Sequence, residues 1–395
     1  MIRKIEVAEA ARAWGLSHHV VEKDYVIGWV LMGLSTNQRL QNQWIFKGGT
    51  CLKKCYLETY RFSEDLDFTL TSDASINVEE ITELIKNICD WVSQESGIEI
   101  PPDQITFKSA PNQRGTFTLR GKLSYRGPLQ QPSYPTIKFD LTTDELITLP
   151  PIFRPVHHPY SDHPHQPISI RCYPIEEILA EKTRAMVERC MPRDLYDIIR
   201  LFRYERLNID VQGMHELIML KSAHRNLAKP SLDAVNSSPR RLELESEWAN
   251  MLGHQLPTLP PLVTYLEELS NYFDWLAGMP IPELPTIQEI TASDSAWQPP
   301  GYISLPSDWG VSAPIEAIRF AGANRLRIQL HYIPQSGLVG VREVEPYSFR
   351  LSKEGNLLFY ARNIQKPRIS AYRVDRIVDV KVTSNPFSPI WRVEF

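Results

Sequence analysis

Apolar residues return along the first half of the chain in two rhythms. At Val20, Val21, Tyr25, Val26, Trp29 and Val30 they recur in steps of three and four, the period of a helix with a buried face, and Ser17 ahead of them has a capping side chain. Alanine-rich residues 4–15 have helical character as well. Residues 50–60 read as helix, 61–70 as strand and 78–96 as a long amphipathic helix; Ile45-Phe46 and Phe68-Thr69-Leu70 have the composition of buried strand. Strands are expected at 105–109, 117–125 and 136–141. In the last of these Ile137, Phe139 and Leu141 share one side while Lys138 and Asp140 share the other, as in a strand packed on helices with its opposite face lining a cleft. Prolines and histidines over 150–167 argue against regular structure, and helical periodicity resumes from 174 to about 227.

A second proline-laden region, 257–306, carries a helical piece at 262–275. It leads to a unit that reads as helix at 313–320 and strands near 326–332, 339–351, 357–361 and 377–382, the pattern of a small barrel. The expected class is therefore α+β, divided as a core at 1–150, a helical domain at 151–255, a proline-rich linker at 256–310 and a β-barrel domain at 311–395.

With 395 residues, 43% apolar and 23% charged, the chain has ordinary globular composition and room for several cores. A net charge of -4 gives no general attraction to nucleic acid, so a polynucleotide partner needs local cationic patches. Cys51 and Cys55 lie one helical turn apart, and no second pair follows at zinc-site spacing, so they read as a buried helix face. The odd number of cysteines and the lack of a signal peptide suit a reducing cytoplasm. No apolar run reaches the roughly 20 residues that cross a bilayer, so no membrane partner is expected.

Chemistry concentrates where Gly48-Gly49-Thr50 precedes Asp65-Leu66-Asp67. A glycine turn brings backbone N–H groups against phosphate, and two carboxylates two apart on a strand point to one side. Asp140 is the third candidate. Such a set of Asp65, Asp67 and Asp140 suits Mg2+ or Mn2+, which takes oxygen ligands and neutralises phosphate charge; the alternative is an edge strand with its acids in solvent. Farther on, Glu181, Lys182, Arg189, Arg193, Asp194 and Asp197 lie in a helical stretch. Lys182 and Arg189 are seven apart and share a face that can hold a triphosphate, unless the segment is a salt-bridged solvated helix.

Val21-Glu22-Lys23-Asp24-Tyr25, the stretch 46–54 around the glycines, 61–68 around the paired aspartates, and 181–185 continuing to 193–197 together resemble the AbiEii/AbiGii toxin family of bacterial nucleotidyltransferases, over about residues 1–230. The resemblance implies a polymerase-β-like fold and a nucleoside triphosphate substrate. It further implies an RNA acceptor, the tRNA acceptor end among them, and a toxin or phage-defence role with an antitoxin or other regulator as partner. It assigns phosphate cradling to Gly48, Gly49 and Thr50, metal binding to Asp65 and Asp67 and, with a shorter motif, to Asp140. Triphosphate contact falls to Lys182, with Lys54, Ser63 and Arg189 as further nucleotide contacts, and Asp197 completes the distal motif.

From about residue 311 the chain resembles a WYL domain, a small Sm-like barrel, through 342–349, 359–362 and 372–377. Phe359 and Ala361 replace the tryptophan and leucine of the naming tripeptide. Tyr347, Tyr360, Arg362, Arg373 and Arg376 offer arginines beside aromatic rings, suited to phosphates and stacked bases. The alternative places the rings in the core and pairs the arginines with Glu343, Glu345 and Asp375. Two functions compete: an RNA-modifying transferase, and a sensing protein that binds nucleic acid or nucleotide through the barrel beside an inactive transferase-like domain.

Overall fold

The computed structural model describes residues 1–111, 117–164, 168–203, 210–286, 313–335, 337–352 and 354–395. The expected linker lies partly outside the described residues. Residues 1–11 with 16–244 form one compact unit, and 12–15 with 245–395 form another. No described helix is long and apolar enough to cross a membrane.

The chain opens with α1 (Lys4–Trp14), α2 (His18–Thr36) and α3 (Gln38–Gln43). Ser17 caps α2 by accepting from the Val20 N–H, and α2 is buried on nearly every side, which explains its apolar composition. A seven-stranded sheet follows. It is built from β1 (Trp44–Lys47), β2 (Asp65–Leu70), β3 (Ile105–Pro111), β4 (Phe117–Ser124), β5 (Thr136–Thr142), β6 (Ile152–Pro155) and β7 (Ser169–Cys172), in the order β3-β4-β5-β2-β1-β7-β6. The β2–β5 and β1–β7 pairs are parallel and the others antiparallel. Between β1 and β2 lie the short α4 (Gly48–Cys51) and a π-turn, Leu52–Tyr56. The single helix expected over 50–60 is thus divided, and the strand after it starts at Asp65. Strands β6 and β7 are not expected from the sequence because each is four residues long and β6 sits among prolines.

α5 (Val78–Ser96) is capped by Asn77 and ended by Gly97 at φ +75°; it packs on α2 where a Cβ at Gly33 would overlap Val92 and Ile88. Phe46, Phe68, Phe107 and Phe139 fill the core of this unit, with ring centroids 5.1 Å apart for Phe46 and Phe68 and 5.6 Å for Phe107 and Phe139. The long helical stretch resolves into α6 (Ile175–Arg189), α7 (Pro192–Phe202) and α8 (Val211–His224), followed by α9 (Leu232–Asn236) and α10 (Arg241–Leu252). Cys190 in the left-handed region ends α6, and Pro192 starts α7 at a position where its missing N–H costs nothing.

The second unit holds α11 (Leu262–Leu276), α12 (Ala313–Ala323) and β8 (Leu326–Tyr332), β9 (Gly340–Leu351), β10 (Leu357–Asn363), β11 (Arg368–Arg373) and β12 (Ile377–Pro386). Its sheet is antiparallel in the order β11-β10-β9-β8-β12. The closed barrel expected from the strand pattern is not formed: among the described residues no pairing joins β11 to β12, so the sheet is open. Strand β11 is likewise an addition to the expected set.

Candidate active site

Strand pairing sets the centre of the first unit's site. Asp67 on β2 stands opposite Asp140 on β5 and opposite Lys47 on β1, while Asp65 stands opposite Lys138. The alternation of buried Leu66, Phe139 and Leu141 with half-buried Asp65, Asp67 and Asp140 puts the three acids on the sheet's open face. Burial pushes the Asp67 carboxyl up to about 6; Asp140 and Asp65 push in the same direction, against Lys47 and Lys182. Asp140 is also raised, by burial first.

The glycine turn fits beneath these acids. Gly48 has φ +79°, and a Cβ there would overlap the Asp67 carboxylate; a Cβ on Gly49 would overlap the Arg61 guanidinium and lie 3.0 Å from Ser63 Oγ. Thr50 Oγ1 donates to the Asp65 carbonyl at 2.5 Å, tying α4 to the start of β2. Ser63 Oγ therefore lies beside the turn.

Charge from the helices reaches the same place. Lys182 Nζ lies 3.1 Å from Asp194 and 2.9 Å from Asp197, and Arg189 grips Asp194 through Nε at 2.7 Å and Nη2 at 2.9 Å. Both cations act on Asp67 through space. Asp197 is fully buried, where Arg61 holds it by two points and Tyr60 donates to it. The sequence set therefore divides by position: Asp65, Asp67, Asp140, Gly48, Gly49, Thr50 and Ser63 come together, Lys182 and Arg189 bear on them, and Asp197 stands behind Lys182 as its anchor.

Lys54 is not brought in. It is buried and pairs with Asp24 at 2.8 Å, because the π-turn directs it toward α2. The stretch 21–25 is a hub for such ties. Glu22 accepts from the Leu129 N–H and from Gln131, Lys23 pairs with Glu64 at 2.7 Å, and Tyr25 donates to Asp162 at 2.6 Å.

Sequence reasoning missed Lys47, buried between Glu181 at 3.0 Å and Glu145 at 3.8 Å. Its only sequence signal is a lysine directly before the glycines. Arg193, which the sequence places only within the charged helical stretch, acts through space on Asp65 and Asp197, with Nε buried and without a hydrogen-bond partner among the described residues. Cys172 was missed as a neighbour of Cys51 and Cys55: the three sulfurs lie within 4.8 Å of one another, buried behind the turn, because β7 pairs in parallel with β1 at Phe46 and Cys172. Among the described residues no other group of three potential metal ligands is that tight, so the carboxylates are more widely spaced. Magnesium tolerates this, since one or two carboxylates plus substrate phosphates and water complete its shell. The donor set of Asp65, Asp67 and Asp140, all oxygen, fits such an ion.

In the second unit Tyr347 is fully buried against Phe387 and Trp391, with Tyr360 packed on the same cluster. Arg362 pairs with Glu345 at 3.1 Å and Arg373 with Asp375 at 2.6 Å; Arg376 is half-buried in the turn before β12. Arg362 also acts through space on Tyr347, so Tyr347, Tyr360 and Arg362 lie together, while Arg373 is tied to Asp375 on the turn after β11.

The profile of the nucleotidyl transferase AbiEii toxin family, of type IV toxin–antitoxin systems, matches residues 29–278. The chain belongs to this family. The AbiEii match starts within α2 and runs past α11, farther than the motifs alone reach. Among solved structures, MenT4, a nucleotidyltransferase toxin of Mycobacterium tuberculosis H37Rv, is similar at 18% identity, over 71% of this chain and 91% of that one, with a TM-score of 0.51. That likeness is one of fold. Proteasome accessory factor B/C of Arthrobacter aurescens aligns at 13% identity over 72% of this chain and 62% of its own, with a TM-score of 0.18. No curated protein matches the chain.

Proposed function

We propose that this AbiEii-family protein transfers a nucleotidyl group from a nucleoside triphosphate to RNA, with the tRNA acceptor end among its candidate targets, as a toxin or phage-defence effector. The observation that carries the reading is the row Lys47, Asp67, Asp140 across β1, β2 and β5, set above a glycine turn that a single Cβ would block. Asp65, Asp67 and Asp140 would hold Mg2+ or Mn2+, which would supply charge neutralisation on the phosphates and a more acidic attacking hydroxyl.

The chain's own groups divide the remaining work. Backbone N–H groups of Gly48 and Gly49, with Ser63 Oγ, cradle the phosphates, and Lys182, Arg189 and Arg193 balance the triphosphate charge. The acceptor hydroxyl oxygen attacks the α-phosphorus as pyrophosphate leaves. Asp140, at the acceptor side of the row, takes the proton. Asp197 positions Lys182. In the second unit, α12 and the sheet are read as a WYL-like module that recruits the acceptor or regulates the transferase. Incubating the protein with Mg2+, each labelled triphosphate and total RNA tests the reading: labelled RNA that disappears with Asp65→Ala supports it, and equal labelling by both proteins refutes it.

A further inference from the structure

The carboxylate row does not end at Asp140. Across β5 and β4 Asp140 stands opposite Arg120, and across β4 and β3 Arg120 stands opposite Lys108; in the next row Asp65 stands opposite Lys138, which stands opposite Lys122. Both rows lie on the open face, so Lys108, Arg120, Lys122 and Lys138 extend from the acids toward the β3 edge. All four are exposed, and none has an ion-pair or hydrogen-bond partner among the described residues. Five cations nearer the acids and the helices behind them differ: Lys47, Lys182, Arg184, Arg189 and Arg225 are each paired to a carboxylate.

Two like-charged pairs directly opposite one another, Lys108 with Arg120 and Lys122 with Lys138, destabilise a sheet. Nothing acidic on the face offsets them until Asp140 and Asp65 are reached, and the whole chain is net negative at -4. Strands lie about 4.8 Å apart, so the cations cover roughly 10 Å of sheet beside the acids. The outward residue Thr106 and these four cations include no aromatic ring, so the surface suits phosphate and sugar rather than stacked bases.

We propose that the open face of β3, β4 and β5 seats the phosphate backbone of the RNA acceptor and leads its reactive end to Asp140. The proposal rests on the transferase reading above, with the nucleoside triphosphate on the other side of the acids, toward the glycine turn and Lys182. Phosphate binding of this kind is insensitive to sequence and steeply dependent on salt.

The test uses the full chain and a labelled 20-nucleotide oligouridylate, with binding followed by fluorescence anisotropy from 50 to 300 mM salt and no triphosphate present. The variant Lys122→Gln/Lys138→Gln should bind at least tenfold more weakly at 50 mM salt, and its log K against log salt should be shallower by about 1.4, or ~0.7 for each phosphate no longer neutralised. Its Tm should be equal or higher, because the substitution removes a repulsion; the pair Lys108→Gln/Arg120→Gln gives an independent measurement. Triphosphate binding should be unchanged. Unaltered oligouridylate binding in both variants, or none by the unsubstituted protein at 50 mM salt, overturns the placement. Because binding is read without transfer, loss of binding in a protein that transfers nothing refutes the transferase reading alone, whereas normal transfer and binding in the variants refutes the surface alone.

Discussion

Arg61 holds Asp197 across 136 residues of chain, its Nε donating to one carboxylate oxygen at 2.7 Å and its Nη2 to the other at 2.8 Å. Both groups are buried, so the pair fixes the loop before β2 against α7 and sets Lys182 beside the acids. Arg61→Met removes one member of a buried pair, and a loss of about 3–5 kcal/mol is expected. Urea unfolding checks it; a loss below ~1 kcal/mol would show that the pair is dispensable.

Acid should unfold the first unit through the same network. Asp194 and Asp197 are held below the usual carboxylate range, against burial, by Lys182 with Arg189 and by Arg61 with Lys182 respectively. A depressed carboxylate contributes stability that is present above its unfolded value, about pH 4, and lost as pH falls through the folded value. Thermal melts of the full chain should therefore fall below pH 4, with a smaller decline in Asp194→Asn. An identical decline in that variant would contradict the assignment.

Asp67 has the opposite sign. Its folded value of about 6 exceeds the unfolded value of 3.8, so its contribution is fullest below about pH 4 and is lost as pH rises through 6. A bound cation relieves the repulsion that builds above that pH. Added Mg2+ should raise Tm at pH 7.5 and not at pH 5, while Asp67→Asn should melt higher than the unsubstituted protein at pH 7.5 and lose the Mg2+ response. An equal Mg2+ effect at both pH values would argue against a metal at Asp67.

Gly48→Ala should reduce transfer by at least a hundredfold, because the added Cβ meets the Asp67 carboxylate at a backbone angle disfavoured for alanine. Stability should fall by about 1–3 kcal/mol from the strained angle. Steady-state rates and melts measure the two together; near-normal rates would remove the turn from the site.

How far the sequence carries depends on distance along the chain. The Gly48-Gly49 turn and the Asp65, Asp67 alternation are local, and their spacing alone puts them on one site. Asp140 is legible because the strand around it alternates cleanly. The direction of Lys54 is not legible, because a π-turn that the pattern does not reveal turns it toward Asp24. Cys172 beside Cys51 and the cationic rows across β3, β4 and β5 depend on which strands pair and in what register, and periodicity within a strand does not contain that information. The open order of the second sheet is hidden for the same reason: strand lengths suggest a barrel, but only pairing decides closure.

Nucleotidyl transfer by the acids on β2 and β5 is open to direct test. Its most direct measurement is release of pyrophosphate together with labelled RNA from α-labelled triphosphates, Mg2+ and total RNA, comparing the unsubstituted chain with Asp67→Asn. Equal amounts of pyrophosphate and incorporated nucleotide are expected, both lost in Asp67→Asn while that protein remains folded. Incorporation that continues unchanged in Asp67→Asn would contradict it.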